Sequence, residues 1–160
     1  MRVSTGLLAG LLVLAGGCAA RGPSLPGSAP PGFPGLDDRA AGVLRTALAL
    51  RGAPYRDGGS DPRGFDCSGF VQYVFAQHGE SLARQVTELA RAGRTVRRRE
   101  IQPADLLFFA TNSRGASHVA IAVDSDAFIH APSSGGAVRF ERLSAPYWSR
   151  RFLGARRVLR

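Results

Sequence analysis

Between positions 37 and 52 the apolar side chains Val43, Leu44, Ala47, Leu48 and Leu50 recur at the spacing of one helical face. Asp37 and Asp38 precede them as start residues and Gly52 follows as a stop, so the pattern predicts a helix over Asp37 to Arg51. Gly52 to Gly64 holds four glycines and two prolines around Tyr55, Arg56 and Asp57, a turn-rich loop. From Ser68 to His78 the helical period returns, with Phe70, Val71, Val74 and Phe75 on one side and Gly79 as the stop. This second helix begins at or beside Cys67 and faces a core. Gln85 to Ala92 predicts a third, short helix.

Beyond Pro103 the period changes from helical to extended. Asp105 to Ala110, His118 to Asp124, Ala127 to Ala131, Ala137 to Glu141 and Phe152 to Val158 are strand candidates separated by Gly, Ser, Asn or Pro turns. Helices first and strands later predict an α+β domain, its N-terminal helices packed on an antiparallel sheet of about five strands that is covered on one face.

The first residues follow a different logic. Arg2, the apolar run Leu7 to Ala15 and the small residues before Cys18 have the organisation of an export signal, and the apolar run is too short to span a bilayer. Leu14-Ala15-Gly16-Gly17-Cys18 resembles the lipobox of bacterial lipoproteins, which implies a signal peptide over residues 1–17 and lipid attachment at Cys18. The alternative is an ordinary signal cut near Ala20, with Cys18 discarded. Arg21 to Gly35 is rich in Pro, Gly and Ser, so 18–36 reads as anchor plus flexible tether and 37–160 as one domain. A tether from Ala19 to Leu36 reaches at most about 60 Å stretched and roughly 23 Å as a coil. Ala19 is not an aspartate and does not resemble an inner-membrane retention signal, so the expected location is the outer membrane, facing the periplasm.

Composition narrows the partners. The chain carries a net charge of +9, or +8 once Arg2 leaves with the signal, and every basic residue is Arg. That balance favours an anionic partner, but an exported chain meets little nucleic acid, leaving envelope polymers or lipid headgroups. The cluster Arg94, Arg97, Arg98 and Arg99 reads as a solvated loop face with no site role. Of the two cysteines, Cys18 is lipidated or lost under either reading, so Cys67 has no disulfide partner in the mature chain.

A lone thiol is either a small buried hydrophobe or a reactive group. The order of Cys67, His118 and His130 favours reaction, because a thiol nucleophile, a histidine base and a third group that orients the base are the parts of covalent acyl transfer. At a helix start Cys67 is expected to gain thiolate character from the dipole. In the strand from His118, the histidine shares its face with Ala120 and Ala122, small residues that leave room for the Cys67 helix to lie close. An adjacent strand then sets His130 beside His118. The Cys67 backbone amide and the Tyr55 hydroxyl are candidates for stabilising an oxyanion. Asp66 is most simply a helix cap, His78 looks exposed and idle, and Tyr147 and Trp148 look like core or rim packing. Structural zinc takes ligands in close pairs that are missing here, so no metal is expected.

Five stretches carry a resemblance over about residues 40 to 158. They are Gly52-Ala53-Pro54-Tyr55-Arg56-Asp57-Gly58-Gly59, Gly64-Phe65-Asp66-Cys67-Ser68-Gly69-Phe70-Val71, Gln102-Pro103-Ala104-Asp105-Leu106-Leu107-Phe108-Phe109, Ser117-His118-Val119-Ala120-Ile121 and Phe128-Ile129-His130-Ala131. In this order they resemble the NlpC/P60 family of cell-wall peptidases. The resemblance implies a papain-like fold, Cys67 as nucleophile, His118 as base, His130 as third group and Tyr55 at the oxyanion site. Asp66, Ser68 and Ser117, inside the same motifs, are candidates for substrate contact. It also implies peptidoglycan stem peptides as substrate, cut between D-glutamate and diaminopimelate or between D-alanine and diaminopimelate, with no metal or cofactor. Two departures stand out: Ala83-Arg84-Gln85 where the family often has Pro-Arg-Thr, and Pro103-Ala104-Asp105 where it often has Pro-Gly-Asp. An amidase or acyl transferase on another envelope amide, and a catalytically idle wall-binding lipoprotein, are the alternatives.

Overall fold

The structure, a computed structural model, describes residues 35–160 apart from 113, 134 and 135. The signal peptide, Cys18 and nearly all of the tether therefore lie outside the described residues. Helix α1, Asp38–Ala49, starts where the Asp37 side chain accepts from the Arg39 and Ala40 amides, and it buries Ala40, Val43, Leu44 and Ala47. The loop that follows ends in a two-residue hairpin, β1 (Ser60–Asp61) and β2 (Gly64–Phe65), which the turn residues had hidden. Helix α2 spans Cys67–Ala76 and buries Phe70, Val71, Val74 and Phe75. The third helix, α3, is shorter than its apolar pattern suggested, Val86–Leu89.

The sheet has six strands rather than five: β3 (Arg94–Val96), β4 (Leu106–Phe109), β5 (His118–Ala122), β6 (Ala127–His130), β7 (Arg139–Arg142) and β8 (Phe152–Arg157), in the order β3-β8-β4-β5-β6-β7. Every pairing in it is antiparallel. The additional strand falls inside the arginine cluster that reads as a loop, because Val96 is its one buried side chain and gives no period to detect. Arg98–Glu100 follows as a short 3₁₀ turn, and a four-residue helix, α4 (Pro146–Ser149), precedes β8.

Both faces of this sheet are covered, not one. Leu106, Phe108, Val119, Ile121 and Ile129 pack against α1 and α2. Leu107, Phe109, Ala120, Ala122 and Phe128 form a second core with Trp148, Leu143 and Val96. This corrects the expected approach of the Cys67 helix: α2 lies on the Val119 and Ile121 face, while Ala120 and Ala122 make room for the Phe109 and Trp148 rings.

The Pro-Ala-Asp departure has a physical trace. Ala104 is buried and holds φ 68°, a left-handed conformation that a Cβ disfavours by roughly 1–2 kcal/mol. Its amide donates to the Ala122 carbonyl at 2.8 Å, which fixes it there. Ala104→Gly relieves the strain at a smaller cost in unfolded-state entropy, so we expect a net gain of about 0.5–1 kcal/mol. Thermal melts near neutral pH check this; an unchanged or lower midpoint contradicts it.

Candidate active site

Cys67 opens α2 because the preceding turn is built to start a helix there. Asp66 Oδ1 accepts from the Gly69 amide at 2.7 Å and from the Ser68 hydroxyl at 3.4 Å. Asp66 Oδ2 is ion-paired with Arg84, whose Nη1 also donates to Ser68 Oγ at 2.6 Å. Arg84, which sequence reasoning noted only as a neighbour of a departure, thus clamps both residues that flank Cys67. Gly69 is dictated by contact, since a Cβ there would lie 2.0 Å from the Gly59 carbonyl oxygen, the atom that accepts from the Asp66 amide at 3.0 Å.

The thiol lies against the start of β5, where the backbone amide of Val119, next to His118, donates to it together with the amides of Cys67 and Ser68. Burial nevertheless outweighs these donors and pushes the Cys67 thiol above its ordinary value. The thiolate character expected from the helix start is therefore opposed by burial in the resting site.

His118 and His130 meet on the second-core face. His118 Nε2 lies 2.8 Å from His130 Nδ1 with the rings perpendicular, so His118 Nδ1 takes no part in that link. Trp148 covers both, its ring centre 5.6 Å from His118 and 5.0 Å from His130. Trp148, read from sequence as core or rim packing, is buried in the second core, where it packs against the histidine pair. This apolar cover lowers His118 to about 4 by burial, and lowers His130 to about 2 by burial, the neighbouring His118 and the Arg139 charge. His130 is fully buried and its Nε2 has no hydrogen-bond partner among the described residues, so protonation would strand a charged N–H.

The remaining candidates divide. Tyr55 is brought beside Cys67 by bridges from Pro54 to Ala137 and from Tyr55 to Phe65. Its hydroxyl donates to Asp57, and burial with the charges of Asp57, Cys67 and Asp66 raises it, so it remains a protonated donor. Ser117 is turned to its own loop, accepting from the Thr111 amide at 2.9 Å and the Asn112 amide at 3.3 Å. A cleft of about 370 Å³ opens beside His118, walled by Trp148, Tyr147, Thr111 and Arg139. His78, far from idle, is half-buried and bonds the Thr46 hydroxyl at 2.8 Å. Among the described residues no group of three or more His, Cys, Asp or Glu is placed to hold a metal.

The NlpC/P60 family model matches residues 52–157. The chain belongs to the NlpC/P60 family. It is 42% identical over 113 residues to the murein DD-endopeptidase MepH of Escherichia coli K12, covering 68% of this chain and 42% of that one. It is 41% identical over 110 residues to the murein DD-endopeptidase MepS/murein LD-carboxypeptidase of the same organism, covering 68% of this chain and 57% of that one. The chain thus spans about half the length of these relatives. A crystal structure of an NlpC/P60 family protein from Bacillus cereus superposes with TM-score 0.72 at 32% identity, over 76% of this chain and 40% of that one. The five NlpC/P60 motifs are thus those that build the α2 start, the Ala104 turn and the histidine pair.

The two lowered histidines fix a pH dependence. A histidine lowered to about 4, as His118 is, stays neutral and able to accept a proton throughout the mildly acidic range. We expect kcat/KM to hold from about pH 7 down to about pH 5 and to fall near pH 4; an acid limb at the ordinary histidine value of about 6.5 contradicts it. Stability follows the same sign. Between about 4 and 6.5 the unfolded chain binds the proton that native His118 refuses, so on the order of 3 kcal/mol is lost as pH falls through that window.

Proposed function

We propose that this chain is a peptidoglycan stem-peptide endopeptidase working through Cys67, His118 and His130. The observation that carries the proposal is the 2.8 Å link from His118 Nε2 to His130 Nδ1, in a strand whose next amide donates to the Cys67 sulfur. In the productive tautomer His118 bears its proton on Nε2 and donates it to His130 Nδ1. As Cys67 attacks the carbonyl, His118 Nδ1 takes the thiol proton, and the imidazolium is held by His130. The proton then passes to the leaving amine, water hydrolyses the thioester by the same route, and Cys67 is regenerated. Burial disfavours both the thiolate and the imidazolium, so proton transfer from Cys67 to His118 is coupled to attack on the substrate. The Cys67 amide, with Tyr55 if its hydroxyl swings from Asp57, receives the oxyanion. His130 orients and does not itself transfer the proton.

The naming of two relatives as murein DD-endopeptidases favours the D-alanyl to diaminopimelate cross-link over the D-glutamyl bond. The lipobox-like Leu14-Ala15-Gly16-Gly17-Cys18 supports anchorage through Cys18 in the outer membrane, facing the periplasm. The test is incubation of the unlipidated chain with a cross-linked muropeptide dimer and with a monomer. Conversion of dimer to monomers supports the reading; a cut between D-glutamate and diaminopimelate in the monomer reassigns the bond; neither product from a folded protein overturns it.

A further inference from the structure

The catalytic account leaves the arginine-rich edge of the sheet unused. Residues 91–99 contain five arginines, and strand β3 lies at the edge of the sheet. Its register sets Arg94 directly opposite Arg157 and Thr95 opposite Arg156 on β8, a like-charge juxtaposition that costs stability unless something answers it. Inside the domain it is answered on one side only. Arg157 is neutralised by the buried Asp105, at 2.7 Å, and Glu100 is shared between Arg97 at 3.5 Å and Arg99 at 3.8 Å. Among the described residues no carboxylate pairs with Arg91, Arg94 or Arg156, and Arg91, Arg94 and Arg97 are exposed.

A cleft of about 310 Å³ joins this edge to the start of the domain, with Arg94 and Arg157 on one side and Leu36, Asp37 and Ala40 on the other. The segment leading back to Cys18 thus joins the domain at its basic edge. The cleft also includes Ala104 and Asp105, and Ala104 is bonded to Ala122, the last residue of β5, whereas His118 is the first. Strand β3 lies three strands from β5, so the basic edge and the catalytic histidine stand about 14 Å apart across the sheet.

From this placement we infer that the β3 and β8 edge seats on anionic phospholipid headgroups, holding the domain with its catalytic cleft turned away from the membrane and toward the wall. The orientation rests on anchorage at Cys18; the headgroup surface does not. The eighteen residues from Ala19 to Leu36 can span at most about 60 Å, and arginines act on headgroups only within about 10 Å, so a basic edge where that segment joins the domain is where attraction is usable.

The test uses the mature chain carrying Cys18→Ala, so that no lipid contributes. Its partition is measured by flotation with phosphatidylcholine vesicles and with vesicles containing roughly one third phosphatidylglycerol. We expect strong preference for the anionic vesicles, and about a hundredfold loss on substituting Arg91→Gln, Arg94→Gln and Arg97→Gln together, about fivefold per arginine. The equal charge change Arg45→Gln, Arg51→Gln and Arg142→Gln should leave partition within about threefold, and the edge triple should cleave soluble muropeptides like the parent. Equal binding to both vesicles, or equal loss in both triples, overturns the inference, as does loss of retention on purified sacculi with vesicle binding intact. Metabolic palmitate labelling of the full-length chain tests the anchor separately, so either reading can fail without the other.

Discussion

Cys67→Ala eliminates cleavage while the domain stays folded. On the proposed mechanism the variant lacks the attacking atom, so kcat/KM should fall by roughly 10⁴-fold or more. The fold should survive because Cys67 is only partly buried and the α2 start is held by Asp66, Arg84 and Gly69 rather than by the sulfur. A stability change within about 1 kcal/mol is expected. His118→Ala should lose nearly as much activity, and His130→Ala less, since the 2.8 Å bond orients the base without supplying it. Rates on a defined muropeptide and melting curves for the three variants check the set. Retained activity in folded Cys67→Ala, or a larger loss at His130 than at His118, contradicts the roles.

Gly69→Ala should damage the molecule more broadly. The added methyl would lie 2.0 Å from the Gly59 carbonyl oxygen and 3.1 Å from Asp66 Oδ1, and backbone cannot yield as a flexible side chain can. Either α2 tilts away from the Gly59 turn or the Asp66 cap is lost, and both displace the sulfur from the Val119 amide. A destabilisation of about 3 kcal/mol is expected, a fall in melting midpoint of roughly 10 °C for a domain of this size. A shift of a degree or two with full activity would show that the turn adapts.

The contrast with Ser68→Ala separates packing from polarity. Ser68 is buried, donates to Asp66 and accepts from Arg84, so its loss unpairs one guanidinium N–H but leaves the cap bond to Gly69 in place.

The elements that build the site were legible in the sequence to the extent that they rode on periodicity. Val43, Leu44 and Ala47 marked α1, the Phe70 to Phe75 stripe marked α2 with Cys67 at its start, and alternation from His118 to Ile121 marked β5. The histidine meeting was also legible, because adjacent antiparallel strands bring same-face residues together. The side from which α2 approaches was not. Small residues at 120 and 122 signal that something bulky lies over them, and here that is Phe109 from the neighbouring strand β4 and Trp148 from α4, well beyond the strand in the chain. The protonation state was also beyond sequence, since helix position argues for a thiolate and only the folded burial of Cys67 reverses it. Arg84 was missed for a similar reason. Its role is a contact across sixteen residues with Ser68 and eighteen with Asp66, and the local signal for it was that Arg84 keeps the middle residue of the family's Pro-Arg-Thr.

The central claim is that the Cys67 sulfur becomes covalently acylated by the stem peptide. Acid quench of the enzyme during turnover of a muropeptide, followed by digestion and mass spectrometry of the peptide bearing Cys67, reads this directly. The account predicts a thioester adduct of the acyl fragment on Cys67 that vanishes as substrate is exhausted. Continued cleavage with Cys67 unmodified, or an adduct on any other residue, would contradict it.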